Sequence, residues 1–364
     1  MPLDLKEMAP SPAHGGMDWA GLERLGPDAW DFSCNVNPWG CSPRVHQALA
    51  DLPLSHYPDP ECRALRAVIA AHENVVPDEV LCGNGATELI WALCRSLKLG
   101  AEVCFPSPTF GEYQAAAATS LPYVQDGESR QGIVPERFAA FLAAHRPALT
   151  FICSPNNPTG QVFSADAVQQ FARAASPGLV VVDQAYREYG PPGDELQHSK
   201  QLLRLCSLTK AYGLAGLRLG YLVGPAPLLR EIAAQIPLWS VSAAAQAAGV
   251  AALGDQAWLH QSLARRVEAA RLLGRLLAEA DFDVQSQGAG FFLVRVGKAA
   301  AWRAFLIARS LIVRDCASFG LPEFLRLSPG PEAACRRLAA EMTEARKTLT
   351  GKTLRGSRTL RGSF

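Results

Sequence analysis

Between residues 80 and 223 this chain alternates two kinds of segment. Short apolar runs (Val80 to Cys82, Val103 to Phe105, Leu149 to Cys153, Leu179 to Val182, Leu202 to Leu205, Leu219 to Val223) are separated by helix-length stretches, among them Ala86 to Leu97, Gly111 to Ala118, Pro135 to Ala144 and Ala165 to Ala175. Unbroken apolar runs suit strands buried on both faces, and helices between them are crossover connections. The pattern therefore predicts an α/β fold: a mostly parallel sheet wrapped by helices. Ligands of such sheets bind beyond the carboxyl ends of the strands, and the polar motifs of this chain fall there.

Cys82-Gly-Asn-Gly85-Ala86-Thr87 opens from a strand into a helix, whose free N–H groups suit a phosphate. Pro106-Ser-Pro-Thr-Phe110 sets an aromatic just past a strand, where it can stack on a flat ring. Ser154-Pro-Asn-Asn157-Pro-Thr-Gly has two prolines that fix the backbone, so both Asn amides are expected to serve an external acceptor. Val180-Val-Val-Asp183-Gln-Ala-Tyr186 ends an apolar run in a carboxylate that needs a cation or a strong donor. Ser207-Leu-Thr209-Lys210 follows another such run, with Arg218 eight residues on. A loop-held lysine can condense with an aldehyde to a Schiff base, and two hydroxyls with an arginine suit a phosphate monoester. Together these point to pyridoxal 5'-phosphate (PLP). Taken singly, three of these have a plainer reading: Lys210 as a surface lysine, Phe110 as core and Asp183 as a helix cap.

At 364 residues the chain exceeds the usual limit of one core, so a large domain with a smaller companion is expected. A net charge of +1 gives no electrostatic footprint for nucleic acid or an anionic membrane. The ten cysteines form no C-x-x-C pair and have no His at metal spacing, so neither a metal site nor a disulfide framework is expected. With no signal peptide and no transmembrane-length apolar run, the chain reads as cytoplasmic and reduced.

The expected organisation is an N-terminal arm over 1–44 contributing to the small domain, a large domain over 45–258, a small α/β domain over 259–350 and a disordered tail over 351–364. A helix is expected behind Ser42-Pro43, and one long helical stretch over Ala243 to Leu277. Strands are expected over Phe282 to Val284 and Gly290 to Val296, and helices over Ala299 to Ala308 and Glu332 to Lys347.

The combination SPNNPTG, VVD-x-A-Y and SLTKAYGLAGLRLGY resembles the fold-type I PLP-dependent enzymes of the aminotransferase class I/II family over about residues 14 to 345. More narrowly, it resembles the branch that holds histidinol-phosphate aminotransferases and threonine-phosphate decarboxylases. The resemblance implies that Lys210 carries the cofactor and moves protons, and that Asp183 keeps its pyridine nitrogen protonated. Asn157 and Tyr186 would bond its 3-oxygen and Phe110 would stack on its ring. Gly85, Ala86, Thr87, Ser207, Thr209 and Arg218 would hold its phosphate, joined by Tyr57 from the partner subunit, so that a homodimer with shared sites is expected. His14, Gly15, Asn35, Asn157, Arg314 and Arg326 would bind a phosphorylated amino-acid substrate, with Arg326 on the α-carboxylate and Arg314 on the phosphate.

Within that branch, His14-Gly-Gly16, Ser33-Cys-Asn35-Val-Asn37-Pro-Trp-Gly and Pro237-Leu-Trp239-Ser-Val are similar to the decarboxylase pattern. They imply loss of CO2 from O-phospho-L-threonine to give (R)-1-aminopropan-2-yl phosphate, the aminopropanol linker of cobalamin. The alternative is a histidinol-phosphate-type amino transfer. Regulators that use this fold as a PLP-binding sensor need an attached helix-turn-helix, and none is visible here. One departure stands out: Leu327-Ser-Pro329-Gly-Pro331 follows Arg326, where the family usually continues through a β-branched residue to Glu-Asn.

Overall fold

The computed structural model describes residues 28–125, 132–191, 196 and 199–350. In chain order the strands are β1 Trp30–Asp31, β2 Val80–Asn84, β3 Glu102–Ser107, β4 Thr119–Val124, β5 Leu149–Cys153, β6 Leu179–Asp183, β7 Leu202–Ser207, β8 Leu219–Val223, β9 Asp283–Gln285, β10 Phe292–Arg295, β11 Leu311–Ile312, β12 Arg314–Cys316 and β13 Leu321–Leu327. The helices are α1 Pro43–Ala50, α2 Arg63–Glu73, α3 Gly85–Arg95, α4 Glu112–Ala116, α5 Pro135–His145, α6 Ala165–Ala175, α7 Ala226–Ala233, α8 Ala243–Leu253, α9 Gln256–Glu279, α10 Ala299–Ile307 and α11 Glu332–Thr350.

A seven-stranded sheet in the order β2-β8-β7-β6-β5-β3-β4 carries the larger part of the fold. Only β8 runs against its neighbours, β2 and β7. Every residue of β5 and of β8 is buried, which is why their sequences show no polar alternation. The helices between strands follow ordinary capping chemistry. At the start of α6, Ser164 Oγ accepts from Ala167 N at 3.2 Å, and the helix buries Val168, Phe171, Ala172 and Ala175 on one stripe. The helix behind Ser42 forms as expected, with Ser42 as its cap and Pro43 in its first turn.

The long helix expected over Ala243 to Leu277 is two helices. Gly254 closes α8, and Asp255 caps α9 by accepting from Trp258 N at 3.3 Å. A second, four-stranded antiparallel sheet, β12-β13-β10-β9, packs with α10, α11 and the later part of α9 around its own core. Phe32 joins that core and β1 pairs in parallel with β11, whereas Cys41, further along the arm, packs against the core of the larger unit. Helix α9 contributes Leu259 to the core of the larger unit and Leu273 and Leu277 to that of the smaller, so one rigid element runs across the boundary expected at 258. Strand β10 is shorter than the run expected over Gly290 to Val296, because Gly290 adopts a positive φ just before it.

Among the described residues no helix is long and apolar enough to cross a membrane, and all ten cysteines are free thiols.

Candidate active site

Five parallel strands, β2, β3, β5, β6 and β7, deliver Asn84, Ser107, Cys153, Asp183 and Ser207 to one edge of the large sheet. Strand β8 runs the other way, so the residue just before it, Arg218, arrives at that same edge. A cavity of about 920 Å³ opens there, roofed by β12 and β13 of the smaller unit. Expected residues Asn35, Ala86, Thr87, Phe110, Asn157, Asp183, Tyr186, Ser207, Thr209, Lys210, Arg218, Arg314 and Arg326 all line it.

At one end Ala86 and Thr87, in the first turn of α3, face Ser207, Thr209 and Arg218. Ser207 Oγ and Thr209 Oγ1 lie 2.7 Å apart. Gly85 does not line the cavity but makes this end possible. Its φ is +79°, and a Cβ there would stand 2.6 Å from Arg218 Nη2. Gly220 serves the same packing, since a Cβ on it would stand 2.6 Å from Ala86 N. Helix N-terminus, two hydroxyls and a guanidinium make an anion cradle.

At the centre, Lys210 is largely buried, and burial pushes its amine below the ordinary lysine value, with Arg326 and Arg218 acting the same way and Cys34 and Asp183 opposing. Its segment is held from the arm: Asn37 N donates to Lys210 O, and Asn37 Nδ2 donates to Ala211 O and to Ser262 Oγ, each at 2.9 Å. Asp183 is buried, which pushes its carboxyl up; Tyr113 OH donates to Oδ2 at 2.7 Å and Ala185 N to Oδ1 at 2.9 Å, both opposing that rise. Cys34 also faces the cavity, as a thiol that burial and then Asp31 push up to about 11, far from a nucleophilic thiolate.

The two asparagines of Ser154-Pro-Asn-Asn157 part company. Asn156 is internal: it accepts from Thr109 Oγ1 at 2.7 Å and donates to Pro108 O at 3.0 Å and Thr159 Oγ1 at 2.9 Å. Only Asn157 faces the cavity, which corrects the expectation that both amides serve an external acceptor. Its Oδ1 accepts from Arg326 Nη1, and Arg326 Nη2 donates to Ser33 O.

Arg314 and Arg326 are register partners across β12 and β13. Burial, and then the Arg326 charge, push the Arg314 guanidinium below its ordinary value. Arg314 Nη2 donates to Ser318 Oγ at 2.7 Å, and its guanidinium lies 5.3 Å from the Phe319 ring centre. Despite Pro329 and Pro331, the chain after Arg326 stays anchored: Ser328 N donates to Phe32 O at 2.9 Å and Arg266 Nη2 to Ser328 Oγ at 3.2 Å.

Asn35, 2% exposed, lines the cavity beside Tyr186, with neither amide atom in a well-formed hydrogen bond among the described residues. Tyr57 is outside this cavity; it is 81% exposed and stacks on Trp239 at 4.6 Å between ring centres. His14 and Gly15 lie outside the described residues. Sequence reasoning missed Tyr113, Asn37, Ser318 and the Ser33 carbonyl as parts of the site; only Asn37 had a signal, its place directly before Pro38 and two residues after Asn35.

The family model for aminotransferase class I and II matches residues 27–342. The chain belongs to that family. Among its relatives, the histidinol-phosphate aminotransferase of Geobacillus sp. (strain WCH70) is 31% identical over 88% of this chain and 91% of its own length. Among solved structures, histidinol-phosphate aminotransferase from Sinorhizobium meliloti in complex with pyridoxal-5'-phosphate superposes with a TM-score of 0.80 at 24% identity, covering 91% of this chain and 95% of that one. L-threonine-O-3-phosphate decarboxylase from Porphyromonas gingivalis superposes at 0.70 with 23% identity, covering 85% of this chain and all of that one (100%). The fold is that of the fold-type I PLP enzymes.

Enzymes of this family use PLP, and the residues present fit it. The cradle at Gly85 and Arg218 would take a phosphate, the buried Asp183 carboxylate would take a protonated ring nitrogen, Phe110 would offer a ring face, and the Lys210 amine stands in the same cavity. Among the described residues no group of His, Cys, Asp and Glu could hold a metal ion.

Proposed function

We propose that this protein is a PLP-dependent carboxy-lyase that removes CO2 from O-phospho-L-threonine to give (R)-1-aminopropan-2-yl phosphate. The observation that carries the reading is Asn35. A buried primary amide with only the Tyr186 phenol beside it has donor and acceptor capacity left for a ligand to complete, and Asn35 lies two residues from the carbonyl that holds Arg326. That segment, Ser33-Cys-Asn35-Val-Asn37-Pro, is the decarboxylase-like one.

The cofactor, when bound, supplies an electron sink for the pair left at the substrate's α-carbon. The chain's residues would do the rest. Asp183 would keep the ring nitrogen protonated, and Asn157 and Tyr186 would bond the 3-oxygen. Arg326, its guanidinium fixed by Asn157 and Ser33, would hold the α-carboxylate, the group that the reaction removes. Arg314 with Ser318 would hold the substrate phosphate, and His14 and Asn35 would complete the pocket. Lys210, whose basicity burial lowers, would return a proton to the carbon that lost CO2. Tyr57 would reach the cofactor phosphate of a partner subunit, since it is exposed and away from its own cavity.

A second reading is histidinol-phosphate-type amino transfer, favoured by the names of the relatives at about 31% identity. Substrate choice separates the two. The lyase consumes O-phospho-L-threonine with no oxo acid present; consumption that requires 2-oxoglutarate would sink the proposal.

A further inference from the structure

Asp183 is the one carboxylate at the centre of the cavity, and its ionisation is contested. Burial drives it toward the neutral acid, which could not hold a protonated ring nitrogen. The strongest opposing contact comes from Tyr113, whose hydroxyl donates to Oδ2 at 2.7 Å. Tyr113 is itself locked. It is 0% exposed and lies face to face on Phe151, with ring centres 4.6 Å apart and planes 5° from parallel. Phe110 meets it edge-on at 5.7 Å. The ring therefore has no other orientation to adopt. Ala185 N on Oδ1 fixes the second oxygen, so the carboxylate is held at both ends before any ligand arrives.

We propose that Tyr113 is a positioning residue: through its hydroxyl it keeps Asp183 ionised and aimed into the cavity, without itself touching cofactor or substrate. Through its contact with Phe110 it also links the ring-stacking residue to the ring-nitrogen residue. The inference rests on the family's cofactor, not on which substrate the enzyme takes. The groups facing Asp183 are Tyr113 from α4, Cys153 at the end of β5, Tyr186 just after β6 and Lys210 just after β7. Of these, only Tyr113 places a hydroxyl within hydrogen-bond distance of the carboxylate.

The test is Tyr113→Phe, which keeps the stacked ring and removes only the hydroxyl. In cofactor-free protein, infrared difference spectra against Asp183→Asn report protonation of Asp183 as pH is varied. The midpoint should rise by roughly one to two pH units, as expected for loss of a hydrogen bond to a charged group. PLP affinity of the variant should fall by about tenfold or more at pH 7 and recover as pH rises through the new midpoint. A midpoint unchanged from the parent, or a loss of affinity equal at every pH, would overturn the proposal. Adding Tyr113→Phe to Asp183→Asn gives an independent check. With no charge left to hold, the second change should leave PLP affinity within about twofold, and an undiminished loss there would refute the role. Should Tyr113→Phe fold poorly, Phe151→Leu, which frees the ring while retaining the hydroxyl, is read by the same midpoint. A rise supports the proposal and no change opposes it.

Discussion

Arg314 and Arg326 stand directly opposite one another on paired strands, two buried guanidiniums at the roof of one cavity. Arg326 spends its donors on neutral oxygens, Asn157 Oδ1 and Ser33 O. Like charges at directly paired positions work against the sheet by roughly 0.2–1 kcal/mol. The arrangement makes sense when anions occupy the cavity.

Inorganic phosphate should therefore raise the melting temperature of the cofactor-free protein, by mass action on the folded state. Arg314→Gln should lose most of that response at the substrate end while leaving the melting temperature in phosphate-free buffer unchanged or slightly higher. Differential scanning calorimetry with and without phosphate checks both.

Gly85→Ala should weaken PLP binding more than it weakens the fold. The added Cβ meets Arg218 Nη2 at 2.6 Å at a residue whose φ is +79°. Left-handed backbone at a non-glycine costs about 1–2 kcal/mol, and displacement of Arg218 removes a cation from the cradle. Titration with PLP should show a loss of about tenfold or more in affinity, with a smaller shift in melting.

Asn37→Ala should reduce turnover without entering the cavity. It strands Ala211 O, a destabilisation of about 1–3 kcal/mol, leaves Ser262 Oγ only its bond to Leu259 O, and slackens the hold on the Lys210 segment. Chemical denaturation measures the first effect. A fall in kcat with KM little changed measures the second.

Acid stability should depend on Glu73, far from the chemistry. Burial pushes its carboxyl up, but Arg187, Arg204 and Tyr221 outweigh that and hold it at about 2. The contacts are short: Arg187 Nη2, Arg204 Nη1 and the Tyr221 hydroxyl all donate to it at 2.6 Å. A carboxyl lowered in the folded state contributes stability that is fully present above its unfolded value, here near 4.5, and is lost as pH falls toward 2. Glu73→Gln should cost up to about 3 kcal/mol at pH 7, because two partly buried guanidiniums lose their counter-charge. The gap between parent and variant should narrow below pH 4.5. Urea unfolding at a series of pH values checks the sign.

Much of this was legible in the sequence, for physical reasons. Strands β5, β6 and β8 are almost wholly buried, so their apolar runs announced them, and the polar residues just past β5, at the end of β6 and just before the reversed β8 marked the ligand edge. Strand β4 gave no such signal: it is an edge strand with a proline at 122 and mostly exposed residues. Helix α2 was hidden behind Pro58 and Pro60 and a left-handed Cys62. The site's supporting contacts are non-local, and sequence spacing carries no trace of them. Tyr113 meets Asp183 across 70 residues, Asn37 meets Ser262 across 225, and Arg326 meets a backbone carbonyl that has no side-chain signature. Which of Asn156 and Asn157 turns outward is decided by Thr109 and Pro108, on a different loop. The break at Gly254 and Asp255 was visible as glycine plus cap, yet the helical periodicity on either side masked it.

The most direct test of the central claim is CO2 release from O-phospho-L-threonine by the PLP-loaded protein, with histidinol phosphate plus 2-oxoglutarate assayed in parallel for glutamate. The account predicts CO2 without any oxo acid, (R)-1-aminopropan-2-yl phosphate as the product, and loss of both with Lys210→Ala. Glutamate formation with no CO2 would contradict it and assign the protein to amino transfer.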